Sequence, residues 1–465
     1  MSLTWTSLLS FHVILLIYQL FVLVAVIHII TKQRRSSTIF AWMLGFLFIP
    51  YIAIPLYFII GIRKRRNVEN YKPKLNLKNW HQQTEQYSSR LTAALDGLGV
   101  PPITTNNALE LYTNGVDAYH ALYEQIIQAQ STIFMSTYVF QDDQMTRQLV
   151  EQLIKKAQQG VQVKLLIDSL GSHHTYFARS IWKPLIAAGG DVQFFMPIFQ
   201  NPFRNYINLR NHRKIYLFDG KTLLTGGMNI GNEYLGPEPD STRWDDLLFK
   251  ITGDSIYYFY DIFANDWYFA TKEKLPKDEI LDVQQTSSTA LQVVASGPDI
   301  PVDGLFDGLM TAIYQAKERI WIVTPYFVPS EDLFNALRLA YCRGVSLRLL
   351  TPRISNHRLA DWARSDFMRR LSDQGVAIDF LETMTHAKAL LIDNSVAVLG
   401  SVNMDNRSLF LNYEVATLAY SADVIDQIDQ WMQSLLSNAH QSYIEKPNRR
   451  RLAAENITKF LLPLL

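Results

Sequence analysis

The chain has 465 residues and a formal net charge of +1. That length exceeds what one hydrophobic core organises, so at least two domains are expected. The near-balance of charge argues against a dedicated nucleic-acid binder, and a single cysteine, Cys342, excludes an intramolecular disulfide and any cysteine-built metal site.

In chain order, the first feature is an almost wholly apolar run from Leu8 to Ile30, with His12, Gln19 and His28 as polar members. A second run, Ile39 to Ile62, contains no charge. Each is long enough to cross roughly 30 Å of hydrocarbon as a helix. Met1 to Ser7 lacks the basic start of a signal peptide. Pro50 and Pro55 predict a kinked, tilted or re-entrant second segment. Lys32, Arg34 and Arg35 lie between the runs, and Arg63 to Arg66 follow, with Lys72, Lys74 and Lys78 behind them. The larger cluster favours a cytoplasmic soluble part and attracts anionic head groups.

Residues 67–107 read as a connector. Then Leu109 to Tyr112 is strand-like, Val116 to Ala129 helical, Thr132 to Phe140 a buried strand, Met145 to Gln158 helical and Val161 to Ile167 a strand. Beyond a charged, then Ser/Thr-rich link at Lys272 to Thr289, the order repeats. Leu291 to Ala295, Arg319 to Phe327 and Val345 to Leu350 read as strands, Leu305 to Lys317 and Leu333 to Tyr341 as helices. Alternating strands and helices imply two α/β units. The tail, Arg449-Arg450-Arg451 before an apolar stretch, reads equally as an interfacial segment and as packing on the second unit.

Each unit carries the same pattern, H-x-K-x₄-D-x₆-G-x-x-N. The first copy is His212, Lys214, Asp219, Gly226 and Asn229; the second is His386, Lys388, Asp393, Gly400 and Asn403. At average residue usage one copy should arise by chance in far less than about one chain in a hundred. The pattern spans a hairpin-like pair of strands turning at Asp219-Gly220-Lys221 and Asp393-Asn394. His and Lys at i and i+2 of a strand face the same way, so both reach one phosphate. Small residues before each Asn let the backbone approach that ligand.

In duplicate these residues supply one imidazole to attack phosphorus and one to protonate the leaving oxygen. Lys214, Lys388, Asn229 and Asn403 hold the non-bridging oxygens. Asp219 and Asp393 complete the catalytic set of each motif by pattern, but as turn residues they are read as structural. No metal or other cofactor is required. His173-His174 has no partner spacing for a metal, and Phe194 to Arg204 with Arg210 reads equally as a lipid-entry rim and as core plus loop.

The two motifs resemble those of the phospholipase D superfamily, with Gly227 where its G-S-x-N usually has Ser. The resemblance implies a covalent phosphohistidine, packing of the halves with the site between them, and an acidic residue after each motif orienting the histidine of the other half. By position these are Glu414 for His212 and Asp245 for His386. The halves are equivalent in type, and the resemblance favours His212 as nucleophile. The stretch Ala41 to Gly61, Thr324-Pro325-Tyr326-Phe327-Val328-Pro329 and Val402 to Ser408 are similar to bacterial cardiolipin synthases. That closer resemblance implies reversible phosphatidyl transfer between two phosphatidylglycerols, releasing glycerol, in a multi-pass enzyme of the bacterial inner membrane. Its rivals are a phospholipase D using water, a nuclease and a non-catalytic scaffold. The expected architecture is α/β: two tandem phospholipase D-like domains, each a mixed sheet flanked by helices, at 108–280 and 281–465. They follow two transmembrane helices within 1–66 and the connector at 67–107. The partners are phosphatidylglycerol and membrane lipids, without nucleic acid; an oligomer is compatible with the sequence.

Overall fold

A computed structural model describes residues 5–30, 36–60, 72–77, 85–198, 208–276, 287–376, 378–442 and 447–461. At the N-terminus are helices Trp5–Ile30, Ser36–Phe48 and Pro50–Ile60. The second apolar run is thus divided at Ile49, next to Pro50. Pro50 lacks the N–H that would continue the ladder, while Ile49 N still donates to Gly45 O and Ala53 N to Ile49 O across the break. Ala25, Ile29, Phe46, Ala53 and Tyr57 form a small core between these helices. Among the described residues no helix is both long and apolar enough to cross a membrane.

The first half forms a seven-stranded sheet from β1 (Asn107–Tyr112), β2 (Thr132–Thr137), β3 (Gln162–Asp168), β4 (Asp191–Phe195), β5 (Ile215–Phe218), β6 (Thr222–Gly226) and β7 (Leu248–Gly253). The second half supplies β8 (Leu291–Ser296), β9 (Arg319–Val323), β10 (Phe327–Val328), β11 (Ser346–Pro352), β12 (Ile378–Leu381), β13 (Ala389–Ile392), β14 (Val396–Gly400), β15 (Met404–Asp405), β16 (Glu414–Ala419) and β17 (Ala439–Ser442). The sheet orders are β1-β7-β6-β5-β2-β3-β4 and β17-β12-β11-β9-β13-β14-β16-β8. Apart from β17 at one edge, the second repeats the first strand for strand. β10 and β15 pair separately.

Helices Gly115–Gln128 and Gln144–Gln158 cover the outer face of the first sheet; Gly304–Gln315 and Glu331–Cys342 cover the second. Their starts are set by local side chains: Asn114 accepts from Val116 N and Asp117 N, and Asp143 and Thr146 form a reciprocal cap. The inner faces meet across a common core holding helices Ile256–Thr271 and Ala422–Ser437. Leu223, Ile251, Phe263 and Trp267 from one half pack there with Leu291, Val293, Leu391 and Val415 from the other. Trp267 is fully buried, so truncating it to alanine costs about 3–5 kcal/mol.

Within the expected connector, the described residues 72–77 and 85–107 contact the folded halves. Leu91 and Leu95 of helix Arg90–Gly97 join the core of the second half, and Thr104 bridges Leu291. Lys72, read from the sequence as part of the basic cluster after the second apolar run, is buried. Helix Arg449–Leu461 packs on helix Arg358–Ser372, with Glu455 paired to Arg369 and Arg451. Most of the link at 272–289 lies outside the described residues.

Candidate active site

Strands β5 and β13 begin three residues after each motif histidine. His212 and Lys214, and His386 and Lys388, therefore stand on the incoming extensions, where each extension pairs with the opposite half. Asn211 bridges Tyr413 in parallel: His212 N donates to Tyr413 O at 2.9 Å and Tyr413 N to Arg210 O at 2.9 Å. Asp245 bridges Thr385 in the same way, with His386 N to Asp245 O at 2.6 Å and Asp245 N to Met384 O at 2.9 Å. These two backbone bridges bring the motifs together about a pseudo-twofold axis.

The bridges also fix the carboxylates. The residue after Tyr413 is level with His212, and Glu414 Oε2 lies 3.0 Å from His212 Nδ1. The residue after Asp245 is level with His386, and Asp246 Oδ2 lies 2.7 Å from His386 Nδ1. Asp246, not Asp245, is therefore the carboxylate on His386. Successive side chains of an extended segment point to opposite faces, and Asp245 turns away to accept from the Thr383 hydroxyl at 2.5 Å. Sheet register gives the equivalence: Gly226 pairs with Leu248 and Gly400 with Ala416. Two residues before those partners stand Asp246 and Glu414.

The two carboxylates are held differently. Ser401 Oγ donates to Glu414 Oε2 at 2.5 Å, and Asn412 Nδ2 donates to Oε1 at 3.3 Å. Gly227 replaces Ser401 in the first half, and a Cβ there would stand 2.2 Å from Asp246 Oδ1. The shorter aspartate occupies the space a serine would need, so glycine is required at Gly227. Gly226 and Gly400 have φ of 144° and 151°, and a Cβ at either would meet a backbone carbonyl of the neighbouring strand at 2.3 and 2.4 Å.

Asp219 and Asp393 stand at the far ends of β5 and β13, seven residues from the histidines, roughly 20 Å at strand rise. Both adopt left-handed φ, 52° and 49°. Asp219 accepts from Gln130 N, Ser131 N and Thr132 N; Asp393 accepts from Lys317 N, Glu318 N and Arg319 N. They anchor each hairpin to the start of the neighbouring strand, away from the chemistry.

The four central cationic or ionisable bases are buried: His212, Lys214, His386 and Lys388. Burial lowers the pKa of His212 against the opposing pull of Glu414. Burial, then the Lys388 ammonium, lowers His386 to about 3 although Asp246 opposes them. Burial takes Lys214 to about 7 and Lys388 to about 8. For Glu414 and Asp246 burial acts upward, but the facing imidazoles and ammonium groups outweigh it and hold both below the usual carboxylate range. Ionised carboxylates facing neutral imidazoles favour the proton on each Nδ1 and a lone pair on each Nε2, which at His386 faces Lys388 Nζ at 3.0 Å. Lys388 bears on His212 electrostatically and Lys214 on His386, so both motifs share one field.

Tyr138 stands edge-on to His212 at 4.9 Å, and Tyr234 to His386 at 5.1 Å, with Trp244 at 5.8 Å. Asn229 Oδ1 accepts from Val139 N at 3.1 Å. Asn403 is buried as well. Arg210 does not form a rim: it is buried on Asp168 and Met196 O, and Phe195 and Met196 are core. Residues 199–207 of that stretch lie outside the described residues. Among the described residues no group of His, Cys, Asp and Glu could hold a metal, His173 and His174 included.

The profile of the family described as "Cardiolipin synthase, PLD-like domain" matches residues 122–267 and 309–436, one match in each half. A profile described as "Phospholipase_D-nuclease N-terminal" matches residues 20–61. Cardiolipin synthase A of Pseudomonas entomophila is 33% identical over 463 residues, spanning 95% of this chain and 96% of that protein. Cardiolipin synthase A of Pseudomonas putida is 32% identical over 463 residues, 95% of each chain. The fold also occurs in the crystal structure of a phosphatidylserine synthase from Haemophilus influenzae, with TM-score 0.62 and 16% identity, covering 81% of this chain and all of that one. With both halves matched and relatives aligned over nearly its whole length, the chain belongs to the cardiolipin synthase family of proteins with phospholipase D-like domains.

Proposed function

We propose that this enzyme makes cardiolipin by moving a phosphatidyl group from one phosphatidylglycerol to the terminal hydroxyl of another. The observation that carries the reading is the pair of buried His–Lys sets, each completed by a carboxylate from the opposite half. The substrate phosphodiester lies between Lys214 and Lys388, with Asn229 and Asn403 at its oxygens. Its negative charge keeps both ammonium groups protonated and lets one imidazole hold a proton. The Nε2 of one histidine, His212 by family resemblance, attacks phosphorus. The P–O bond to glycerol breaks, and the imidazolium of the other histidine gives that oxygen its proton. The second phosphatidylglycerol then loses its hydroxyl proton to the same, now neutral, imidazole. Its oxygen displaces the histidine from phosphorus, which regenerates the enzyme. One phosphodiester replaces another, so no nucleotide is consumed.

The N-terminal helices hold the site at the bilayer in this reading. Their support is an inverted surface: Leu20, Phe21, Leu47, Phe48, Tyr51 and Ile52 are exposed, while the His28 imidazole meets the Tyr57 hydroxyl inside at 2.8 Å. An apolar exterior of that kind suits hydrocarbon.

The test is purified enzyme in vesicles containing phosphatidylglycerol alone. Cardiolipin and glycerol in equal amounts are expected. Phosphatidic acid without cardiolipin would overturn the transfer in favour of hydrolysis.

A further inference from the structure

The neighbours of His212 in sequence join a fully buried ionic cluster. Asp266 accepts from Arg213 Nη1 at 2.9 and 3.1 Å, from Asn211 Nδ2 at 3.1 Å and from Lys72 Nζ at 2.5 Å. Asp299 accepts from Lys72 Nζ at 2.5 Å and lies 3.5 Å from Arg213 Nη2. The four charged side chains are inaccessible to solvent, two cations against two carboxylates. The residues on both sides of His212, Asn211 and Arg213, are therefore fixed by one aspartate. Arg213 also donates to the carbonyls of Glu414 at 3.1 Å and Ser296 at 3.0 Å. Lys72 stands 4.4 Å from the ring centre of Tyr413, whose carbonyl holds His212 N.

The cluster breaks the pseudo-symmetry. His386 is flanked by Thr385 and Ala387, neither of which can form such a clamp. Lys72 comes from the stretch joining the N-terminal helices to the folded halves. That stretch is docked here: Leu75 is buried in the common core, and its N–H donates to Asp299 O at 3.1 Å.

We propose that Lys72 is a positioning residue for the His212–Glu414 couple, through which the membrane-proximal segment completes one half of the active site. This rests on the transfer reading above. Without the Lys72 ammonium, Asp266 and Asp299 share Arg213 alone, leaving a buried negative charge. Arg213 is then drawn between them, and the backbone carrying His212 shifts relative to Glu414. Misplacement of that kind acts on the chemical step and leaves substrate binding in place.

The experiment compares full-length wild type, K72M and K72M/D299N in phosphatidylglycerol vesicles, with activity normalised to folded protein by thermal unfolding. K72M is expected to lose at least about tenfold in kcat with KM within about twofold. K72M/D299N, which restores the charge balance, is expected to recover most of that loss. Retention by K72M of more than about half the wild-type kcat would overturn the proposal, as would a folded double variant no better than the single. If K72M does not fold, the kcat of the double variant alone decides: near wild type supports positioning, and a tenfold loss with a folded protein refutes it. Failure of the wild type to form cardiolipin would instead count against the transfer reading, and the comparison then runs on phosphatidic acid release.

Discussion

Replacing Asp246 by Asn should cripple the enzyme, while replacing Asp245, one residue away, should not. Asp246 is wholly buried, and its Oδ2 lies 2.7 Å from His386 Nδ1. It is also one of the groups that oppose the fall of the His386 pKa. An asparagine keeps the shape but removes the charge. Losing a charge-assisted hydrogen bond to a buried imidazole costs about 1.5–3 kcal/mol, equivalent to roughly 10- to 150-fold in rate. The amide can also present its N–H₂ to Nδ1, turning the imidazole to the tautomer with Nε2 protonated; that kind of inversion costs up to about 10⁴-fold. D246N is thus expected to lose about 10²- to 10⁴-fold in kcat, with KM little changed. D245N removes only the charge from the Thr383 contact and should stay within about threefold of wild type. The assay is initial-rate cardiolipin formation, with circular dichroism to establish that both variants are folded. Equal damage by both substitutions, or a D246N enzyme within about threefold of wild type, would refute the assignment drawn from the cross-half bridge.

Other outcomes follow from the same geometry. G227S should be strongly impaired, because its Cβ falls 2.2 Å from Asp246 Oδ1, whereas S401A removes one donor to Glu414 and should cost about tenfold or less in kcat; parallel kinetics of the two variants check this. With Lys214 at about 7 and Lys388 at about 8, rising pH removes the ammonium protons that hold the phosphodiester, so kcat/KM should fall through this range. The alkaline limb of kcat should lie higher, since bound substrate stabilises both charges; coincident limbs would contradict that. D219N should lower stability by about 1 kcal/mol while leaving activity per folded molecule near wild type, measured by urea unfolding and normalised rates. Burial acts upward on the Asp219 pKa, but the backbone N–H groups of Thr132, Ser131 and Gln130 win and lower it. Its stabilisation is therefore present above the ordinary value of 3.8 and lost as pH falls through the folded value, a loss D219N should not show.

The site's chemistry was legible because its carriers are close in sequence and occur twice: His212 with Lys214 and Asn229, His386 with Lys388 and Asn403. The α/β repeat was legible from alternating short apolar strands and amphipathic helices, and the two sheets share one strand order. Asp246 was misread as Asp245 because two adjacent aspartates are separated only by the register of a bridge to Thr385, in the other half of the chain. Arg213 reads as an ordinary polar position beside a motif histidine, and Lys72 as one more charge after a membrane segment. Arg213 lies 53 residues from Asp266 and Lys72 lies 194 and 227 from Asp266 and Asp299, so the cluster exists only once the halves close around the two aspartates. The role of Gly227 was hidden likewise, since the space it leaves is filled by a side chain on another strand extension.

The most direct test of the account is to quench the enzyme during turnover of phosphatidylglycerol labelled at phosphorus. The account predicts a label on protein that survives alkali, is lost in acid, maps to His212 or His386, and chases into cardiolipin when unlabelled phosphatidylglycerol is added. Turnover with no label on either histidine, under conditions that trap such adducts, would contradict it.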